Sequence, residues 1–189
     1  EDVGIMRILP HMTVVTPCDY NQTYRAVLEC AKYDKPFYIR FYRDKTPNYT
    51  DMNAPFEFGK ADTLIDGSDV TLIANGLLVW EAIIASEELK KEGISARVVN
   101  MHTIKPIDAD TIVKCAEETG LIITCEDHQK NCGLYGAVAE VLSLQRPTQM
   151  DYVAVEDTFG ESGTMEQLMS KYKIDRHEII RKVKKHLKK

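Results

Sequence analysis

No apolar run in the sequence approaches the roughly 18 residues that a membrane-spanning helix needs, and no secretory signal pattern is visible. The expectation is a cytoplasmic protein with no membrane partner. The formal charge is −5, and no basic stripe lies outside the C-terminal helix. That argues against nucleic acid as a main partner. The five cysteines (Cys18, Cys30, Cys115, Cys125 and Cys132) are odd in number and have no CxxC spacing. A zinc site wants paired spacings, so they read as buried free thiols in a reducing compartment. No GxGxxG follows a first strand, which removes a dinucleotide cofactor. No second histidine stands at ligand spacing from His128, and no metal site is expected. Internal repeats and low-complexity segments are also missing.

What is present is ordinary for a globular chain, with 44% hydrophobic and 28% charged residues. Its 189 residues suffice for one large domain or two modest ones. Glu1 to Leu9 has helical spacing and ends at Pro10. Met12–Thr16 is a β-branched strand. Asp19 or Asn21 caps a helix to about Tyr33, with Tyr24, Val27, Leu28 and Ala31 on one face. Phe37–Phe41 is the next strand. This is one βαβ unit, and one unit cannot bury both faces of its sheet. The chain also opens on Glu1-Asp2 with no initiator methionine. Residues 1–43 therefore read as the second half of a domain whose first half precedes Glu1.

Asp44–Pro55 has no periodicity and reads as a linker. A second unit follows. Glu57–Leu64 is expected as an edge strand antiparallel to Val70–Ala74 across the Asp66-Gly67 turn. Helices are expected from about Leu78 to Lys91, closed by Gly93, and from an Asp108 cap to about Thr119. A third runs to about Leu144. Strands fall at Ala96–Met101, Leu121–Cys125 and Tyr152–Val155. Thr164-x-x-Gln167 and Asp175-x-x-Glu178 resemble capping boxes of two final helices. The last carries a largely solvated basic face. Alternating short strands and helices make an α/β fold with a mostly parallel sheet and one antiparallel edge strand.

Charge gathers at Glu126-Asp127-His128, where a buried strand would end facing a ligand crevice. His128 has the chemistry of a general base or metal ligand, but hydrogen bonding that fixes the following Cys132-Gly133-x-x-Gly136 loop is the favoured reading. Phe159-Gly-Glu-Ser-Gly163 offers backbone N–H groups to an anion, or is a tight turn with Ser162 or Thr164 as cap. Arg40 and Arg43 end a strand, and a guanidinium there suits a phosphate or carboxylate. They are three residues apart and so face opposite sides. At most one faces a given site, and a salt bridge is the competing role.

Read together, EDVGIMRILPHMTVVTP, PFYIRFYR, VNMHTIKPID, CEDHQKNCGLYGAVAE and FGESGTMEQLMSKYKI resemble the C-terminal part of a transketolase. The likeness runs nearly end to end, and is closest to C-terminal sections of transketolases encoded as two polypeptides. FGESGT favours transketolase over 1-deoxyxylulose-5-phosphate synthase and the β subunit of 2-oxoacid dehydrogenase E1. The resemblance implies that residues 1–50 are the second half of a pyrimidine-binding α/β domain. Residues 51–189 would then be a three-layer α/β/α C-terminal domain. It implies transfer of a two-carbon ketol unit between sugar phosphates by thiamine diphosphate and Mg²⁺ in the complete enzyme. The implied partners are an N-terminal section and a homodimer mate. It assigns Arg43 the substrate phosphate and places the catalytic glutamate and the cofactor and metal ligands outside this sequence. This chain alone is then expected to be inactive. A departure from the family pattern is Cys132, which replaces the first of two adjacent glycines. A non-catalytic binding or regulatory module is the reading from another class.

Overall fold

The computed structural model describes residues 1–43 and 45–188. Among the described residues there are two sheets. The smaller joins β1 (Thr13–Val15), β2 (Phe37–Ile39) and β6 (Thr103–Lys105) in the order β2-β1-β6. β1 and β2 are parallel, bridged by α2 (Tyr20–Cys30), and α1 (Asp2–Ile8) precedes them. The larger sheet has the order β3-β5-β4-β7-β8, from Asp62–Ile65, Ala96–Asn100, Val70–Ala74, Leu121–Gln129 and Gln149–Val155. β4, β5, β7 and β8 are parallel, and β3 runs antiparallel at one edge.

The pleat sorts the core of this sheet into two sides. Leu72, Ala74, Val98 and Ile123 face α3 (Leu78–Lys91), α6 (Met165–Tyr172) and α7 (Arg176–Leu187). Ile73, Val99 and Ile122 face α1, α4 (Ala109–Thr119) and α5 (Leu134–Gln145). The result is a three-layer α/β/α sandwich. β4 is buried at every position, as a strand covered on both faces should be. Caps set the helix ends: Asp19, Asp108, Thr164 and Asp175 each accept a backbone N–H two or three residues into the helix. Gly93 and Gly120 adopt positive φ just past α3 and α4.

Four expectations need correction. The edge strand starts at Asp62, not Glu57, and pairs with β5 rather than β4. Phe56 and Phe58 instead join an aromatic cluster with Tyr33, Phe37 and His102. The stretch after β5 contains a separate strand, β6, antiparallel to β1 in the other sheet. The tip Glu126–His128 belongs to β7, which runs to Gln129 with an irregularity after Cys125. The apolar face of α2 points outward: Tyr24, Val27 and Leu28 are about half exposed, while Gln22 and Arg25 are buried. Polar partners explain the inversion. Gln22 Oε1 accepts from Asn100 and its amide donates to Asp62, and Arg25 donates to the carbonyls of Ala54 and Pro55.

The expected linker begins at Asp44, which lies outside the described residues, as does the terminal Lys189. From Lys45 the segment has no helix or strand but is tied down. Tyr49 and Thr50 donate their backbone N–H groups to Asp19, at 2.9 and 2.6 Å. The Tyr49 ring packs against Trp80 at 5.3 Å.

α7 is pinned to β8 by one carboxylate. Asp151 takes Lys182 Nζ at 2.8 Å and His186 Nε2 at 2.7 Å. Burial opposes its charge, but the Lys182 and His186 hydrogen bonds outweigh burial and pull its pKa down to about 2. A depressed folded-state pKa gives stability that is full above the ordinary value of 3.8 and lost as pH falls toward 2. Thermal unfolding of Asp151→Asn should therefore show a lower midpoint than the parent at pH 5. The difference should shrink as pH is taken below 4.

Candidate anion-binding site

Arg40 and Arg43 both follow β2 rather than lying in it, and the structure separates their roles. Arg40 is 23% exposed along its side chain and bridges two acids. Its Nη1 donates to Asp127 at 2.7 Å, and its Nε stands 2.9 Å from Asp2. Burial disfavours its charge, yet Asp127, Tyr42 and Asp2 outweigh this and raise its pKa. Arg40 is thus engaged internally. Arg43 is exposed, and has no hydrogen-bond or ion-pair partner among the described residues.

Arg43 sits between two clefts. One, of about 410 Å³, is lined by Arg43, Lys45, Tyr20, Thr23 and Thr46, with Asp19 at its wall. Asp19 is the one carboxylate among its described lining residues, and four donors already occupy it. They are the N–H groups of Gln22, Tyr49 and Thr50 and the Thr50 hydroxyl. The described lining therefore presents two cations and one carboxylate already held by neutral donors. An anion entering would find charge and hydroxyls together. The other cleft, of about 500 Å³, runs from Tyr42, Arg43 and Asp127 to the Gly160–Gly163 loop. In that loop Thr164 makes a reciprocal capping box with Gln167, so the tight-turn reading holds for its end. Lys45 and Tyr42 were not singled out from sequence. The available signal was Tyr42 itself, an aromatic set between two arginines.

The remaining candidates are structural. His128 Nε2 accepts the N–H of Gly4 at 3.3 Å, while Nδ1 stands 2.6 Å from the Gln129 carbonyl. Nδ1 must then carry the proton, and burial lowers the ring's pKa. His128 so ties β7 to α1. His102 is stacked on Phe56 at 4.4 Å, and burial lowers its pKa to about 4. Cys18, Cys115 and Cys125 are buried free thiols, Cys30 is half-buried and Cys132 is exposed. Cys132 has φ +63°, the left-handed conformation that a glycine adopts without strain. Glu126 is wholly buried and caps α5, its two oxygens accepting Leu134 N–H at 2.7 Å and Tyr135 N–H at 2.8 Å. Gly133 is required there, since a Cβ would stand 2.2 Å from Glu126 Oε2. Burial pushes the Glu126 carboxyl up to about 8, against the two amides that favour its ionised form.

Residues 59–179 match the family model described as transketolase, C-terminal domain. The chain belongs to the transketolase family. The 6-deoxy-6-sulfo-D-fructose transketolase subunit of Clostridium sp. (strain MSTE9) is 40% identical over 181 residues, covering 96% of this chain and 56% of that protein. An apulose-4-phosphate transketolase subunit from Phocaeicola vulgatus is 38% identical over 190 residues, covering 100% and 61%. The solved structure described as a split gene transketolase, inactive beta4 tetramer, superposes with a TM-score of 0.95 at 40% identity, covering 98% of this chain and 61% of that one. The chain thus spans 56–61% of the length of these relatives. Their names agree with the likeness to one polypeptide of a split transketolase.

Glu126→Gln tests the cap. Above pH 8, where the carboxyl is ionised, it keeps the shape but turns one acceptor into a donor facing a backbone N–H. Chemical denaturation should report a loss of about 1–3 kcal/mol, the cost of one buried unsatisfied group.

Proposed function

We propose that this chain is the C-terminal section of a thiamine-diphosphate-dependent transketolase, working in the cytoplasm. The complete enzyme moves a two-carbon ketol unit between sugars that end in a tetrahedral oxyanion. The observation that carries this is Arg43: exposed, beside Lys45, in a cleft whose one described carboxylate is already held by four donors. Family membership supports the reaction type, and two relatives are named for sugars ending in a phosphate or a sulfonate. One fork-shaped guanidinium can meet either group with two hydrogen bonds.

The described residues offer no ligand set for the cofactor's metal. Among the described residues no group of three or more His, Cys, Asp or Glu is placed to hold one. We therefore assign thiamine diphosphate and Mg²⁺ to the N-terminal section and to a homodimer mate. The cofactor supplies the carbanion chemistry when bound. Residues 1–50 are assigned to the pyrimidine-binding domain and 51–189 to the C-terminal domain, and the chain by itself is assigned no activity. No helix among the described residues is long and apolar enough to cross a membrane.

The test is a ketol-transfer assay with thiamine diphosphate and Mg²⁺, on this chain alone and combined with its N-terminal section. Turnover is expected only in the combination, with a ketose phosphate as donor. Turnover with pyruvate instead would move the protein to the 1-deoxyxylulose-5-phosphate synthase reaction. Arg43→Ala in the combined enzyme should raise KM about tenfold or more for donors ending in phosphate or sulfonate. That matches roughly 1.5–3 kcal/mol for a hydrogen bond to a charged group. A donor ending in a hydroxyl should be unaffected.

A further inference from the structure

We infer that Asp127, acting through Tyr42 and Arg40, is the positioning device for Arg43, and that this is how the C-terminal domain contributes to substrate affinity. The inference rests on the reading of Arg43 as the anion ligand.

Arg43 lies four residues beyond the last residue of β2, on a stretch with no regular structure. A loop of that kind would leave a guanidinium free to wander. Here the two side chains that flank Phe41 are both tied to one carboxylate. Asp127 Oδ1 accepts from Arg40 Nη1 at 2.7 Å and from the Tyr42 hydroxyl at 2.8 Å. Arg40 Nη1 also donates to the Tyr42 oxygen at 3.1 Å, which closes a triangle. The hydroxyl is donor to one corner and acceptor from the other, so it has one orientation. Burial and the Asp127 carboxylate both push the Tyr42 phenol well above its usual range, which keeps it a donor.

The ring has a seat as well. Gly76 adopts φ +50° and lies against Tyr42; a Cβ there would stand 2.1 Å from the hydroxyl oxygen and 2.9 Å from ring carbons. Gly76 is itself held, its N–H donating to the Thr16 carbonyl at 3.2 Å. Upstream, the Arg40 N–H donates to Val15 at 2.9 Å, and the Arg40 side chain reaches Asp2, which also accepts from Tyr38 at 2.7 Å. Arg43 therefore follows directly on a residue clamped between β7 and the turn after β4. Both clefts that Arg43 lines also have Tyr42 in their walls. Of the groups that fix Tyr42, Asp127 lies on β7 of the larger sheet and Gly76 in the turn after β4. Their role is geometric: they set where the charge of Arg43 is presented.

The experiment compares Tyr42→Phe and Asp127→Asn in the combined enzyme, with Arg43→Ala as reference. The readout is KM and kcat for a ketose phosphate and for hydroxypyruvate, a ketol donor without a phosphate. Tyr42→Phe retains the ring in its seat and removes the hydroxyl alone, so it guards against a misfolded Asp127→Asn. The expected result is a rise of about fivefold in KM for the ketose phosphate in both variants, with kcat and the hydroxypyruvate KM within twofold of the parent. An equal rise for both donors would mean general disruption and would overturn the inference. Parent-like KM ratios in both variants, with Arg43→Ala still raising the ratio, would sink the positioning role and leave the ligand reading intact. Parent-like ratios in Arg43→Ala itself would remove the reading beneath it.

Discussion

Asp127 collects the Arg40 guanidinium and the Tyr42 hydroxyl on one oxygen, and Arg40 carries the connection on to Asp2. Three stretches far apart in sequence meet there: α1, the segment after β2, and the end of β7. Breaking a fully buried pair by removing one partner costs roughly 3–5 kcal/mol. This one is partly open, with Asp127 14% exposed, so its worth is smaller. Its importance is that it fixes the segment in two places at once. His128 adds a second tie nearby, between β7 and Gly4, and Arg7 adds a third by pairing with Glu140 on α5. The end of β7 is thus a junction on which the N-terminal residues are mounted.

The charged end of β7 shows how a site-like sequence can be a scaffold. Glu126, Asp127 and His128 have the composition of catalytic residues. Each is used to hold backbone or another side chain. Glu126 caps α5, Asp127 anchors Arg40 and Tyr42, and His128 accepts the N–H of Gly4. A strand end in an open α/β sheet is where ligands bind, and the same position makes it the natural place to receive a neighbouring segment.

Much of the larger unit was legible because its signals are local. Asp108, Thr164 and Asp175 announce helix starts, Gly93 and Gly120 announce ends, and VTLIA and LIITC read as strands covered on both faces. What was not legible depends on partners distant in sequence. β6 is three residues long, and its strand character comes from β1, about 90 positions earlier. The short turn at Asp66-Gly67 points the edge strand to its hairpin neighbour β4, whereas β5 takes that position. On α2 the apolar stripe of Tyr24, Val27 and Leu28 suggested the buried face. The helix instead buries Gln22 and Arg25, where Asn100, Asp62 and two connector carbonyls hydrogen-bond to them. Parity alone separated Arg40 from Arg43 without saying which is paired. Asp127, 87 residues further on, makes that choice.

β6 reaches across from the later part of the chain to lie beside β1, and the segment from Lys45 to Pro55 is strapped to α2 through Asp19 and Arg25. Covalent continuity between the two sheets is therefore redundant. A protease that severed the connector would leave two fragments still zipped together by backbone hydrogen bonds, by the strap on either side of the cut and by the Arg40–Asp127 pair. The architecture tolerates a broken backbone because its two halves are laced, not merely tethered.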